Sequence, residues 1–364
     1  MRKVTAGNVG AIAQVDLTPI TAPIVAPAAK RPDAVRGRED AFGGGAATQS
    51  IAPQPVAPSI VSRVVELPAG YPKSVDLGAL ALAARDILSG QGMTAADFAG
   101  TKKLVLTDAD LTLFDSPVIP VFLRHKTTKQ LLIDPATSAP LRLGIGAHRD
   151  VKKEYDAFRL QNPTFVGADY APENAQVSHL ANILAAKEIL PTIQSLKKAN
   201  ADDTSREIVV TARGGDDSVI AGMKELLGRY GAKLDGALMM YHPEHKSKLG
   251  LDGCEGQGRK KALSMAALLT LFDPSATTLK RVKLVDDNDE NLIRAMELLP
   301  KLFPDIRFEF IDVIHQGDGK FEPKLIARST KGGGVKDAAG KKLDPSTYAS
   351  IDAPLPPAIV QDGT

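Results

Sequence analysis

Lys103-Leu-Val-Leu-Thr-Asp108-Ala-Asp110-Leu-Thr112-Leu-Phe114 begins as an apolar run of strand length, Leu104 to Leu106, and ends at two aspartates spaced i, i+2. Along an extended segment side chains alternate faces, so Asp108 and Asp110 are expected to point the same way. Two carboxylates that close repel each other, and a folded site tolerates them through a shared proton or a cation. Thr112 adds a hydroxyl just beyond, where the strand should break into a loop. Taken alone, the stretch reads as a strand ending in a solvated, Asp-rich turn. A second stretch changes the balance: Arg281-Val-Lys-Leu-Val-Asp286-Asp287-Asn288 is another short strand that ends in another acidic pair.

Between and around these two stretches the hydrophobic period switches repeatedly. Glu207-Ile-Val-Val-Thr211, Gly236 to Tyr241 and Arg307 to Val313 read as strands. Val177 to Asn200, interrupted by Pro191, the run opened by Asp216 or Asp217, the run opened by Arg259-Lys260-Lys261, and Leu292 to Phe303 read as helices. Strands alternating with helices predict an α/β fold: a three-layer, Rossmann-like parallel sheet with helices on both faces. Residues 115–174, with short strand-like pieces at Val118 to Leu123 and Gln130 to Ile133, predict a small insertion after the first core strand. Ligands of such sheets bind at the carboxyl ends of strands, and Asp108/Asp110, Thr211 and Asp286/Asp287 all fall there.

The expected organisation has four parts. Residues 1–71, rich in Ala, Pro and Gly, read as a disordered leader, either a plain tail or an export address. Residues 72–100 read as a helical extension, 101–316 as the main α/β domain with its insertion, and 317–364 as a mostly disordered tail. The formal net charge of +2, from 45 basic and 43 acidic residues, gives no whole-chain case for nucleic acid or membrane binding. No apolar run approaches bilayer-spanning length. One cysteine, Cys254, excludes an internal disulfide and suits a reducing compartment, so the expected location is cytoplasmic unless the leader directs secretion as an effector.

A carboxylate nucleophile, a neighbouring acid, a hydroxyl, a lysine and a metal-binding acid are together the parts for phosphoryl transfer through an aspartyl-phosphate. Mg²⁺ takes oxygen ligands and offsets both clustered carboxylates and an incoming phosphate. Asp108-Ala-Asp110-Leu-Thr112, Thr211 after a hydrophobic strand, a helix-opening lysine and Asp286-Asp287 resemble, in order, the four motifs of the haloacid dehalogenase-like phosphatase superfamily. The resemblance covers about residues 100–315 and is nearest to members with small insertions, including polynucleotide-end-repair phosphatases. It implies a Mg²⁺-dependent phosphomonoesterase. Asp108 would be nucleophile and metal ligand, and Asp110 would be acid, then base, with its backbone carbonyl on the metal. Thr211 would bind phosphate. Asp287 would be the metal-binding acid and Asp286 its neighbour, with exchange of these two roles left open. The phosphate-binding lysine is Lys260 or Lys261, with Lys280 a weaker third. Leu111 stands where the superfamily often has glycine.

The expected partner is a phosphorylated substrate: a phosphoprotein, a nucleic-acid end or a metabolite. Arg142, Arg149, Lys152, Lys153 and Arg159 read as a solvated helix face more readily than as a basic rim. The competing class is a binding or scaffold module that keeps the fold without turnover. Three stretches are decoys. Cys254 to Arg259 is one residue short of a cysteine-phosphatase loop. Gly253 to Lys261 lacks the Gly-Lys-Ser/Thr ending of a P-loop. His242-Pro-Glu-His245 reads as a polar loop, and His125 and His148 as surface or loop residues.

Overall fold

The structure, a computed structural model, describes residues 59–115, 118–133, 142–146, 170–174, 186–317, 319–349 and 359–361, with positions 138, 156, 159, 160, 183 and 184 between them. All of them belong to Pro53–Thr364, the second of two units into which the chain divides. An antiparallel pair, β1 (Val64–Glu66) and β2 (Ser74–Asp76), leads into helix α1 (Leu77–Gly90). Asp76 caps that helix, accepting the Gly78 N–H at 2.8 Å. Helix α2 (Ala95–Ala99) starts on the capping box formed by Thr94 and Asp97. The first core strand, β3 (Lys103–Thr107), follows.

After β3 the chain makes one tight turn. Leu113 N–H and Phe114 N–H both donate to the Ala109 carbonyl. The stem β4 (Phe114–Asp115) pairs with β8 (Lys187–Glu188). Between them β5 (Val118–His125), β6 (Arg142–Gly146) and β7 (Tyr170–Asn174) form a small antiparallel sheet, joined later by β15 (Ile359–Gln361). The chain then alternates: α3 (Leu190–Asn200), β9 (Ser205–Gly214), α4 (Asp217–Arg229), β10 (Gly236–Tyr241), α5 (Pro243–Leu249), α6 (Gln257–Phe272), β11 (Arg281–Asp286), α7 (Asp289–Leu302) and β12 (Arg307–His315). Two antiparallel strands, β13 (Phe321–Ser329) and β14 (Val335–Asp337), complete the main sheet.

The seven strands lie in the order β10-β9-β3-β11-β12-β13-β14, parallel from β10 to β12. One core holds Leu104, Leu106, Leu284 and Phe310 against α1, α6 and α7; the other holds Val105, Val209 and Val285 against α3 and α4. Alternate residues of the same strands thus enter opposite cores, which makes three layers. The mixed α/β class and the mostly parallel sheet agree with the expectation from sequence. After β3 the chain goes to β9 and β10 on one side and later to β11 and β12 on the other. The strand order therefore reverses between β3 and β11, and a crevice opens at that point in sheets of this kind.

Several expected boundaries are corrected. The leader was drawn to residue 71, but β1 already pairs at Val64–Glu66; residues 1–58 of that leader lie outside the described residues. Residues 72–100 are no appendage, because α1 buries Leu77, Ala81, Ala84 and Leu88 in the main core. Gly236 allows this approach, since a Cβ there would lie 2.6 Å from Leu88 Cδ2. Of the helix expected from Val177 to Asn200, residues 177–182 and 185 lie outside the described residues, Ile183 and Leu184 are helical, Lys187–Glu188 is strand, and a helix runs over Leu190–Asn200 with Pro191 in its first turn. The piece Gln130 to Ile133 forms isolated bridges at Leu131 and Ile133 in place of a strand, the first of them with Arg124. The tail expected to be disordered from residue 317 supplies β13 and β14 to the sheet. Pro323 fits there because β14 pairs only with Ala327 to Ser329, leaving the outer edge at 323 without a strand partner among the described residues.

One buried group outside the crevice makes a stability prediction. Glu207, fully buried in β9, accepts the Thr107 hydroxyl at 2.8 Å on Oε1, while Oε2 has no hydrogen-bond partner. Burial pushes its pKa well above the usual glutamate value, with the Thr107 hydrogen bond opposing and the Asp235 charge reinforcing. The unfolded chain releases this proton near pH 4.3 and the folded chain holds it to higher pH. Stability from this group is therefore complete below about pH 4.3 and lost as pH rises toward the folded pKa. Glu207→Gln keeps the shape and cannot ionise. Its melting temperature should exceed that of the wild type at pH 8, and the gap should close by pH 4; a gap that instead widens toward acid would refute the assignment.

Candidate active site

The crevice between β3 and β11 gathers side chains from both strand ends and from α6. Asp108 follows β3, and its N–H donates to the Val285 carbonyl at 2.9 Å, which ties the two strand ends together. Leu111 adopts a left-handed backbone at φ 54°. That conformation explains why glycine is favoured at such a position, and the burial of the Leu111 side chain helps to offset a strain of about 1–2 kcal/mol. The turn brings Thr112 under β11, where its hydroxyl donates to Asp287 Oδ1 at 3.0 Å.

Lys261 is the centre of the arrangement. Its side chain has no exposed surface, and Nζ lies 2.9 Å from Asp108 Oδ2 and 2.9 Å from Asp286 Oδ2. Asp286 is held further through Oδ1, which accepts the Asn291 amide at 2.8 Å and the Asn288 N–H at 3.0 Å. Asp287 keeps more acceptor capacity and is half-buried. The structure therefore separates the two acids: Asp286 anchors the lysine, while Asp287 accepts the Thr112 hydroxyl and is the less buried of the pair. Of the two lysines left open from sequence, Lys261 reaches these acids, whereas Lys260 is half-buried one position earlier on the same helix. Lys280 donates to the Thr277 carbonyl at the opposite end of the sheet.

The electrostatics are those of a site short of positive charge. Burial pushes Asp108 up to about 6; Lys261 opposes the shift, and Asp286 and Asp110 add to it. Asp287 is raised well above the usual aspartate value, first by burial and then by the charges of Asp286 and Asp108. Burial alone would lower Lys261, but the two carboxylates outweigh it and carry it above the ordinary lysine range. Asp108, Asp286 and Asp287 each bring an oxygen within 4.8 Å of the others. Asp108 Oδ1 is buried with no hydrogen-bond partner. A buried carboxylate oxygen without a partner, beside two further acids, fits a hard divalent cation with oxygen ligands.

Thr211 lies on the neighbouring strand, two residues beyond the last β3–β9 pair, Thr107 with Val209. It is buried, and its hydroxyl accepts the Arg213 N–H at 3.2 Å. Arg213 grips Asp110 with both arms of its guanidinium: Nε donates to Oδ2 at 3.1 Å, and Nη2 pairs with Oδ1. The sequence had marked Arg213 only as part of a loop approaching substrate. Asn291 went unnoticed there; the signal was an amide at the third residue of the helix that follows Asn288.

The decoys are resolved by burial and hydrogen bonding. Cys254 is buried, and burial raises its thiol pKa, so no thiolate is prepared. His242-Pro-Glu-His245 is a short helix, not a loop, and both rings are buried and stacked at 4.1 Å. With Asp217 they form a second set of possible metal ligands. Both Nδ1 atoms, however, accept backbone N–H groups, from Met239 at 3.0 Å and His245 at 3.5 Å. A ligating histidine instead donates from its second nitrogen, so these rings serve the fold. His125 Nδ1 accepts the N–H groups of Thr127 and Thr128, a turn role. His148 and the side chains of Arg142, Arg149, Lys152 and Lys153 lie outside the described residues; Arg159 is described and sits 3.9 Å from Asp156. An open cleft of about 420 Å³ between Arg307, Arg328 and Lys336 holds no buried acid or nucleophile.

Among the described residues no helix is long and apolar enough to cross a membrane. The chain matches no family model, no curated protein and no solved structure.

Proposed function

We propose that the chain is a phosphomonoester hydrolase of the haloacid dehalogenase-like type, working through a phosphoryl group carried on Asp108. The observation that carries the reading is the Lys261 bridge between Asp108 and Asp286, at 2.9 Å to each, in the crevice where the strand order reverses. Three sequence motifs far apart in the chain meet at one buried ammonium. Buried oxygens in structural clusters are in the large majority hydrogen-bonded, whereas this cluster leaves Asp108 Oδ1 unpartnered beside two further acids.

In the proposed reaction an Asp108 oxygen attacks phosphorus, and the bond from phosphorus to the substrate oxygen breaks as Asp110 gives that oxygen a proton. Water then attacks phosphorus, Asp110 takes its proton, and inorganic phosphate leaves with Asp108 restored. Lys261 fixes the orientation of Asp108 and balances part of its charge. Thr211 would hold a phosphate oxygen as negative charge gathers there. Asp108, Asp286 and Asp287, with the Asp110 carbonyl, would hold Mg²⁺, which when bound offsets the charge of both the acids and the phosphate.

The test pairs binding with turnover. Adding Mg²⁺ should raise the melting temperature of the wild type by several degrees, because only the folded chain gathers these acids. A fluoroberyllate complex should raise it further. With Mg²⁺ present the protein should hydrolyse p-nitrophenyl phosphate, and a panel of phosphopeptides, 3′-phosphorylated oligonucleotides and sugar phosphates ranks the natural carriers. A folded protein that responds to neither cation nor phosphate mimic and hydrolyses nothing would defeat the reading and leave a scaffold module.

A further inference from the structure

Asp110 is the group asked to serve the substrate, yet in this structure both of its oxygens are engaged by Arg213. The Arg213 side chain is 4 % exposed and that of Asp110 19 %. A two-armed Arg–carboxylate contact is among the strongest and most directional of side-chain pairings. A carboxyl so held cannot turn an oxygen toward a leaving group until the pairing opens. A phosphoryl group presents the same kind of acceptor edge to a guanidinium as a carboxylate does, with more charge. Any phosphate close enough to use Asp110 is within one side-chain movement of Arg213. The backbone of Arg213 is already fixed beside the phosphate-binding candidate, since its N–H donates to the Thr211 hydroxyl. The β9–β10 pairing slips by one residue between Thr211 and Gly214, where the strand turns Arg213 toward the crevice.

We propose that Arg213 is a phosphate ligand held in reserve by Asp110: an arriving phosphoryl group draws the guanidinium to itself and in doing so frees Asp110 to act. This rests on the phosphatase reading above and adds to it a substrate-operated latch. It also names the feature of the substrate that works the latch, a phosphate with three free oxygens and close to two negative charges, as in a monoester. A diester, with two free oxygens sharing a single charge, would engage it less strongly.

Isothermal titration with inorganic phosphate, in the presence of Mg²⁺, reads the latch directly. Asp110→Asn should bind phosphate about tenfold more tightly than the wild type, a change of about 1.4 kcal/mol. Arg213→Ala should bind about tenfold more weakly, and its loss of kcat/KM should appear mainly in KM. Arg213→Lys should recover only part of the affinity, because an ammonium has no fork. Removing a negative charge could by itself tighten phosphate binding, so the double variant decides. In the Arg213→Ala background Asp110→Asn should give no tightening; an equal gain with and without Arg213 would overturn the latch. An active wild type whose Arg213→Ala variant binds phosphate unchanged would overturn the latch and leave the phosphatase reading standing. A folded wild type that neither binds phosphate nor turns over a monoester would overturn both.

Discussion

Asp108→Asn should reduce turnover by roughly three orders of magnitude or more, as expected when a nucleophile is removed from a set that acts as a unit. The fold should survive, because an asparagine carbonyl can still accept from Lys261, which lies 2.9 Å away in the wild type. Asp108→Glu is the sharper probe. It keeps a carboxylate but moves it by one methylene, and a misplacement of about 1 Å is enough to cost on the order of 100-fold. Both variants should give melting curves close to the wild type in the absence of Mg²⁺. A single-turnover reaction with labelled substrate, quenched in acid, should leave label on the wild type that hydroxylamine releases, as it does from an acyl phosphate. No label should remain on Asp108→Asn. If that variant is labelled and turns over normally, the nucleophile lies elsewhere.

Lys261→Met should damage stability and activity together. The methionine matches the lysine stem in length and leaves Asp108 and Asp286 facing each other with no cation, at a position with no exposed surface. Breaking a buried ion pair from one side costs about 3–5 kcal/mol, since the remaining charges stay desolvated. For a chain of this size that is roughly 10 °C of melting temperature. Activity should fall by on the order of 100-fold or more, from lost orientation of Asp108 and lost charge balance at the phosphate. Mg²⁺ should restore part of the stability, because a cation at the same acids replaces some of the missing charge, but it should not restore turnover. Lys260→Met, one residue away and half-buried, should do neither. Equal effects at 260 and 261 would mean that the lysine contributes through helix packing and not through the acids.

What could be read without coordinates was whatever depends on local pattern. The β-branched and leucine-rich runs that stop at Asp108, Thr211 and Asp286 mark strands because burial on both sides of a parallel sheet leaves no room for polar alternation. The acids at their ends are legible for the same reason: the pattern breaks where the strand leaves the core. The cap at Asp216, too, follows from residue type at a helix start.

Tertiary structure decided whatever depends on phase or on distant partners. Residues 261–272 of α6 are buried on every side, so the helix carries no apolar stripe from which to tell whether Lys260 or Lys261 faces inward. The strand Phe321–Ser329 was unreadable because it carries Pro323 and exposed charges and follows a glycine-rich turn, features that a strand near a sheet edge tolerates and a loop shares. The tie between Arg213 and Asp110 spans 103 positions of sequence, and the anchoring of Asp286 by Lys261 spans 25. Sequence by itself determined which residue types stand at the strand ends. Only the order of the strands, with β3 between β9 and β11, determined that those ends meet, because a carboxylate acquires its partner from the neighbouring strand and not from its neighbours in the chain.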